Sequence, residues 1–135
     1  MATIAGLSHV GFNVPREIFE KECDFWEHVI GLTRTHSSDR NVFFTADPLR
    51  DHEFILYAVD GPVPGYGDPS CMLNHLAFDV PTNADVDEFT ARLRAHGYEV
   101  EEPERGRRQN KITSPAGIHF EMNTPPYLDP KTVRD

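Results

Sequence analysis

The chain has 135 residues, enough to bury a core, and no apolar run long enough to span a bilayer. Its net charge of −9, from 22 acidic and 13 basic side chains, repels phosphate backbones and anionic lipid surfaces. Nucleic-acid and membrane partners are therefore not expected. The N-terminus lacks the basic-then-apolar layout of a signal peptide, and the two cysteines, Cys23 and Cys71, show no CxxC spacing. A cytoplasmic protein with reduced thiols is expected.

In chain order, residues 5–14 alternate as a strand, with Val10, Phe12 and Val14 on one face and His9, Gly11 and Asn13 on the other. A helix is predicted over 16–30. Ile18, Phe25 and Val29 form its apolar stripe, widened by Phe19, Trp26 and Ile30. Gly31 sits where a left-handed C-cap is wanted. Strands follow at 32–37, 41–46 and 52–59. A Pro/Gly-rich connector covers 60–71.

The order then repeats. Leu7-Ser8-His9-Val10-Gly11-Phe12-Asn13-Val14-Pro15 matches Leu73-Asn74-His75-Leu76-Ala77-Phe78-Asp79-Val80-Pro81 without a gap, with five of nine positions identical. A strand at 72–80 puts His75, Ala77 and Asp79 on one face. A helix at 83–96 carries Val86, Phe89 and Leu93, with Thr82 or Asn83 as N-cap, Asp85 in the first turn and Gly97 closing it. Gly31 and Gly97 stand at the same offset as His9 and His75. Strands are predicted at 98–102, 108–114 and 117–123, and an irregular tail at 124–135. The domain is thus α+β, two tandem βαβββ modules at 5–59 and 72–123. A repeated strand with a repeated histidine on one face points to two units pooling ligands at one site.

Tandem βαβββ units with a histidine in each first strand resemble the vicinal oxygen chelate superfamily. So does the ending Ser114-Pro115-Ala116-Gly117-Ile118-His119-Phe120-Glu121. The resemblance covers residues 5–123. It implies a single domain in which the two halves curl a mixed sheet into a cup, with helices outside, around a metal held by His9, His75 and Glu121. Two imidazoles and a carboxylate suit Fe(II), and Mn(II) also fits. Shifting Glu121 back by the repeat offset lands on Ile55. The fourth ligand of the glyoxalase I-like members is therefore missing unless a two-residue slip brings in Glu53. Gly11 and Ala77 leave space beside the ligands, or simply pack tightly.

Arg50-Asp51-His52-Glu53-Phe54 resembles the stretch that carries the proton-shuttling histidine of extradiol dioxygenases. His52 is therefore the candidate acid–base catalyst. It reaches the substrate if its face, shared with Phe54 and Leu56, points inward, and fails to if Glu53 and Ile55 do. Imidazole titrates near neutrality, which suits the role. His119 shares the strand face of Glu121 and lines the site or supports a ligand. The basic run Arg105–Lys111 offers Arg108, Asn110 and Lys111 as substrate-binding groups. The dioxygenase pattern has tyrosine ten residues before the glutamate, and Lys111 stands there instead. The resemblance implies O2-dependent cleavage of a catechol-type aromatic diol, in a homodimer. The alternatives are a glyoxalase- or fosfomycin-resistance-like lyase or transferase, and a metal-free binding protein of the bleomycin-resistance kind.

Overall fold

The structure, a computed structural model, describes residues 2–102 and 109–124. Its contacts divide the chain into two compact units, Met1–Val63 and Pro64–Asp135, with the boundary inside the predicted connector. Both are mixed α+β. Strands in the first are β1 (Val10–Pro15), β2 (Thr33–Ser37), β3 (Asn41–Thr45) and β4 (Phe54–Val59). In the second they are β5 (Leu76–Asp79), β6 (Gln109–Thr113) and β7 (His119–Asn123).

The first sheet has the order β1-β4-β3-β2, with β1 and β4 parallel and the hairpins antiparallel. Val10, Phe12 and Val14 alternate with exposed His9, Gly11 and Asn13, as the pattern of polar and apolar residues predicts. The inward face meets Phe44, Phe54 and Leu56, all nearly inaccessible to solvent. A helix over this face starts as a 3-10 turn at Arg16–Ile18. It becomes α1 (Phe19–Asp24) and widens into a π turn at Phe25–Ile30. The widened turn buries Phe25, Trp26, Val29 and Ile30 together. Trp26 lies 4.5 Å from the Phe54 ring, and its indole N–H donates to the buried Glu22 carboxylate at 2.8 Å. Gly31, at φ 93°, ends the helix in the left-handed conformation expected of it.

The second sheet has the order β5-β7-β6, again with its first and last strands parallel. Helix α2 (Asn83–Ala95) is capped by Thr82. Its hydroxyl accepts from Asp85 N–H at 3.1 Å, and the Asp85 carboxylate accepts from Thr82 N–H at 2.9 Å. The buried stripe is Val86, Thr90 and Leu93. Phe89 is only half-buried, under the Arg92 guanidinium at 5.0 Å.

Two expectations are corrected. Residues 98–102 form no strand, only a single bridge from Glu101 to Lys111, so the second sheet has three strands among the described residues. The predicted strands at 5–14 and 72–80 are also shorter. Pairing starts at Val10 and Leu76, which leaves both repeat histidines just outside the sheet. The tail beyond Thr124 lies outside the described residues.

The capping box makes Thr82→Ala a direct test of helix entry. A loss of about 1 kcal/mol is expected in urea unfolding, and an unchanged midpoint would contradict it. Cys23 is fully buried, and burial pushes its thiol up to about 12. At pH 8 iodoacetamide is therefore expected to label the partly exposed Cys71 alone, and both cysteines only after denaturation.

Candidate functional site

The two parallel strand pairs share one register. Val10 faces Phe54 in the first unit, and Leu76 faces Phe120 in the second. Both partners are displaced by the offset that relates His9 to His75. Gly11 therefore pairs with Ile55 as Ala77 pairs with Glu121. The position matching Glu121 is Ile55, 2% exposed, so no carboxylate stands there. Glu53 is committed elsewhere. Its Oε2 accepts from Ala46 N–H at 2.9 Å, Asp47 N–H at 3.1 Å and the Thr45 hydroxyl at 3.2 Å, tying down the loop before β4.

In the first unit, Phe54 and Leu56 point into the core, and Ile55 and Tyr57 share the other face with Gly11 and Asn13. Simple alternation would send His52 with Phe54. It does not, because β4 begins at Phe54 and the preceding residues form a bend. The His52 ring lies 5.0 Å from the His9 ring and 4.9 Å from Phe43, which pairs with Ile55. His52 thus sits beside His9 on the Gly11 side. Its Nδ1 lies 3.1 Å from the Asp51 carboxylate, and this partner lowers the Asp51 carboxyl below its ordinary value. A cavity of about 420 Å³ adjoins them, lined by residues 5–8 and by Leu49, Arg50, Asp51 and His52.

In the second unit, β6 lies beside β7 with Lys111 opposite Glu121. The Lys111 ammonium is 4.0 Å from Glu121 Oε1, and Asn123 Nδ2 donates to Oε2 at 3.2 Å. His119 is buried, 6.5 Å ring to ring from His75, with Nδ1 3.2 Å from the Thr113 hydroxyl. Burial pushes its imidazole below the ordinary histidine range. The His75 and Lys111 charges add to the shift, and Glu121 opposes it. His75 is exposed, with Nδ1 2.7 Å from Asn74 Oδ1, as His9 Nδ1 is 3.1 Å from the Ser8 hydroxyl.

Asn110 corrects an expectation. It is fully buried, its amide N–H donates to Thr90 Oγ1 at 3.2 Å and its carbonyl accepts from Met122 N–H at 3.1 Å. It ties β6 to α2 and β7 and has no substrate-facing edge. Arg108 lies outside the described residues.

Tyr66, which no spacing could place, stacks on His119 with ring centroids 3.8 Å apart and planes 13° apart. Two glycines put it there. Gly117, at φ 96°, closes the turn between β6 and β7, and its carbonyl accepts from Tyr66 N–H at 2.8 Å. A Cβ on Gly65 would come within 3.2 Å of Gly117 Cα. A side chain at Gly65 would push the two backbones apart by a few tenths of an ångström, and neither alternation nor periodicity carries that signal. A cavity of about 460 Å³, lined by Tyr66, Asp68, Cys71, Leu73 and Asn74 among others, lies next to the stack.

Among the described residues no three His, Cys, Asp or Glu side chains are gathered into a metal cluster. His9 belongs to one unit, and His75 and Glu121 to the other. Their chemistry nonetheless fits a divalent first-row ion. Each imidazole has one nitrogen engaged by its neighbour and one left over, and the carboxylate is largely shielded from solvent.

Two mixed sheets, each with a parallel strand pair and a helix, carry one sequence repeat and define a tandem-module fold. The Glyoxalase/Bleomycin resistance protein/Dioxygenase superfamily matches residues 6–122, and the chain belongs to it. No curated protein matches the sequence. Among solved structures it is similar to a mutant of the fosfomycin resistance protein FosX from Listeria monocytogenes, complexed with Mn(II) and 1S,2S-dihydroxypropylphosphonic acid. That match has 22% identity, TM-score 0.73, and covers 93% of this chain and 96% of that one. FosX from Mesorhizobium loti is 25% identical with TM-score 0.69, covering 93% and 95%. Lactoylglutathione lyase from Agrobacterium tumefaciens is 17% identical with TM-score 0.68, covering 91% and 96%.

Gly117→Ala places a side chain at positive φ and 3.1 Å from Gly65 Cα. A loss of about 1–3 kcal/mol in urea unfolding is expected. A wild-type midpoint would show that the glycine clasp is not needed.

Proposed function

We propose that this chain is a divalent-metal enzyme acting on a small molecule that presents adjacent oxygens and an anionic group, by lyase, transferase or hydrolase-type chemistry without O2. His9, His75 and Glu121 are its proposed ligands, with Mn(II) favoured. The observation that carries this reading is the Lys111–Glu121 pair across β6 and β7. The dioxygenase pattern wants a phenol at position 111. A lysine ammonium beside the metal carboxylate serves an anionic substrate instead. The similarity to FosX structures, one of them holding Mn(II) and a phosphonate with two hydroxyls, agrees with it.

When bound, the metal supplies Lewis-acid polarisation of the substrate oxygens. The side chains do the rest. Lys111 supplies the cation that pairs with the anionic group. His52, braced by Asp51, moves a proton at its ring nitrogen. His119, packed under Tyr66, forms a polar wall beside Glu121.

A second reading is favoured by a different observation. His52, the proton-shuttling histidine if the sequence resemblance to extradiol dioxygenases holds, stands 5.0 Å from His9 with the Asp51 carboxylate 3.1 Å from its Nδ1. In that case Fe(II) is the ion, and a catechol and O2 are the substrates.

Elemental analysis of anaerobically purified protein, followed by Mn(II) and Fe(II) reconstitution, decides first. About one metal per chain is expected, lost in His9→Ala and Glu121→Gln. The reconstituted protein is then assayed in an oxygen electrode with a catechol panel, where no uptake is expected. Uptake with a yellow ring-fission product would transfer the assignment to the dioxygenase reading. No metal after reconstitution would overturn the ligand set and leave a binding protein.

A further inference from the structure

His9 and His75 share a feature that the repeat alone does not explain. Both lie immediately before their strands begin, at β1 and β5, and both are exposed. No strand pairing fixes their rings, which lie 5.0 Å from the His52 ring and 6.5 Å from the His119 ring respectively. Each Nδ1 meets the side chain of the preceding residue. His75 Nδ1 lies 2.7 Å from Asn74 Oδ1, and His9 Nδ1 lies 3.1 Å from Ser8 Oγ. Ser8 and Asn74 are themselves equivalent in the repeat, so the contact recurs at matching positions with two different side chains.

An amide oxygen only accepts. The contact therefore requires a proton on His75 Nδ1, which leaves the lone pair on Nε2. A serine hydroxyl accepts from an Nδ1–H or donates to a bare Nδ1, so for His9 the Nδ1–H form is carried over from His75 by the equivalence of Ser8 and Asn74 in the repeat. A free histidine side chain at the protein surface divides its population between two tautomers and several rotamers, and only some combinations present a bare Nε2 outward.

We infer that Asn74 and Ser8 are positioning residues, each holding its neighbouring imidazole as the Nδ1–H tautomer so that Nε2 is the donor atom offered at the site. The inference rests on the reading of His9 and His75 as ligands. It adds the atom each uses and the residue that selects it. The pairing takes the place of the carboxylate or carbonyl that usually holds the far nitrogen of a ligating histidine. Here the neighbour in sequence takes that role, because the histidine stands outside the sheet.

The test is ¹⁵N-resolved NMR of the histidine rings in metal-free protein, paired with Mn(II) titration, for wild type, Asn74→Ala, Ser8→Ala and Asn74→Asp. Positions 8 and 74 are exposed, so the variants are expected to fold, and circular dichroism checks it. Wild-type His75 is expected as the Nδ1–H form. Asn74→Ala is expected to admit the Nε2–H form and to weaken Mn(II) binding on the order of 10- to 100-fold. Asn74→Asp, which keeps an acceptor, is expected to restore both, and Ser8→Ala to act on His9 as Asn74→Ala does on His75. An unaltered His75 tautomer in Asn74→Ala would overturn the inference. So would an altered tautomer with Mn(II) affinity within about twofold of wild type, since positioning would then not matter to the ion. If Asn74→Ala alters the His75 tautomer but wild-type protein takes up no Mn(II), the positioning stands and the metal reading alone falls.

Discussion

The parallel pairing of the first and last strand in each unit, at the same register, is the constraint on which the rest depends. A parallel neighbour is reached only by leaving the sheet and returning. In the first unit that excursion is the helix and the β2–β3 hairpin. In the second it is α2 and β6. One face of each ladder is buried and apolar, with Phe54 and Leu56 in the first unit and Phe120 and Met122 in the second, and Ile55 is buried on the opposite face of the first. The opposite face carries Gly11 and Asn13 in one unit and Ala77 and Glu121 in the other. Core and candidate site residues are therefore two faces of the same ladder, separated by the two-residue period of a strand.

The repeat is symmetric in backbone and asymmetric in chemistry. At matching register positions the second unit has Glu121 and Lys111, and the first has Ile55 and Phe43. The carboxylate and the cation belong to the second unit. The first has apolar side chains there, with the His52–Asp51 pair nearby. Phe43 and His9 flank the His52 ring, so the histidine has a packed seat although it stands in a bend. A partly exposed Lys111–Glu121 pair at 4.0 Å adds little stability, typically under about 1 kcal/mol. Its significance lies in where the charges stand.

A second asymmetry comes from the connector. Gly65 and Gly117 approach so closely that neither tolerates a Cβ without displacement, and Tyr66 is thereby laid flat on His119. The stack covers one face of an imidazole whose other neighbours are His75 and Thr113. This buries a polar ring without leaving it unpaired, the condition on which burial of a histidine depends. In the first unit the position matching His119 is Glu53, whose carboxylate is engaged by the loop after β3.

The sequence by itself determined the repeat, the strand faces, both helices with their glycine stops, the family resemblance, and the isoleucine where a fourth ligand would stand. These follow from periodicity and offset, which are local and survive any packing. The tertiary structure decided what periodicity cannot reach. It shortened the strands and left both histidines outside them, because parallel pairing begins only at Phe54 and Phe120. It reduced 98–102 to one bridge and buried Asn110 as a tie between helix and sheet. It turned His52 toward His9 through a bend in which alternation no longer applies. It brought Tyr66 over His119, since a contact so distant in sequence is set by the meeting of two glycine backbones. Local pattern states which face a strand residue takes. Only the folded chain states where a strand ends and what crosses over it.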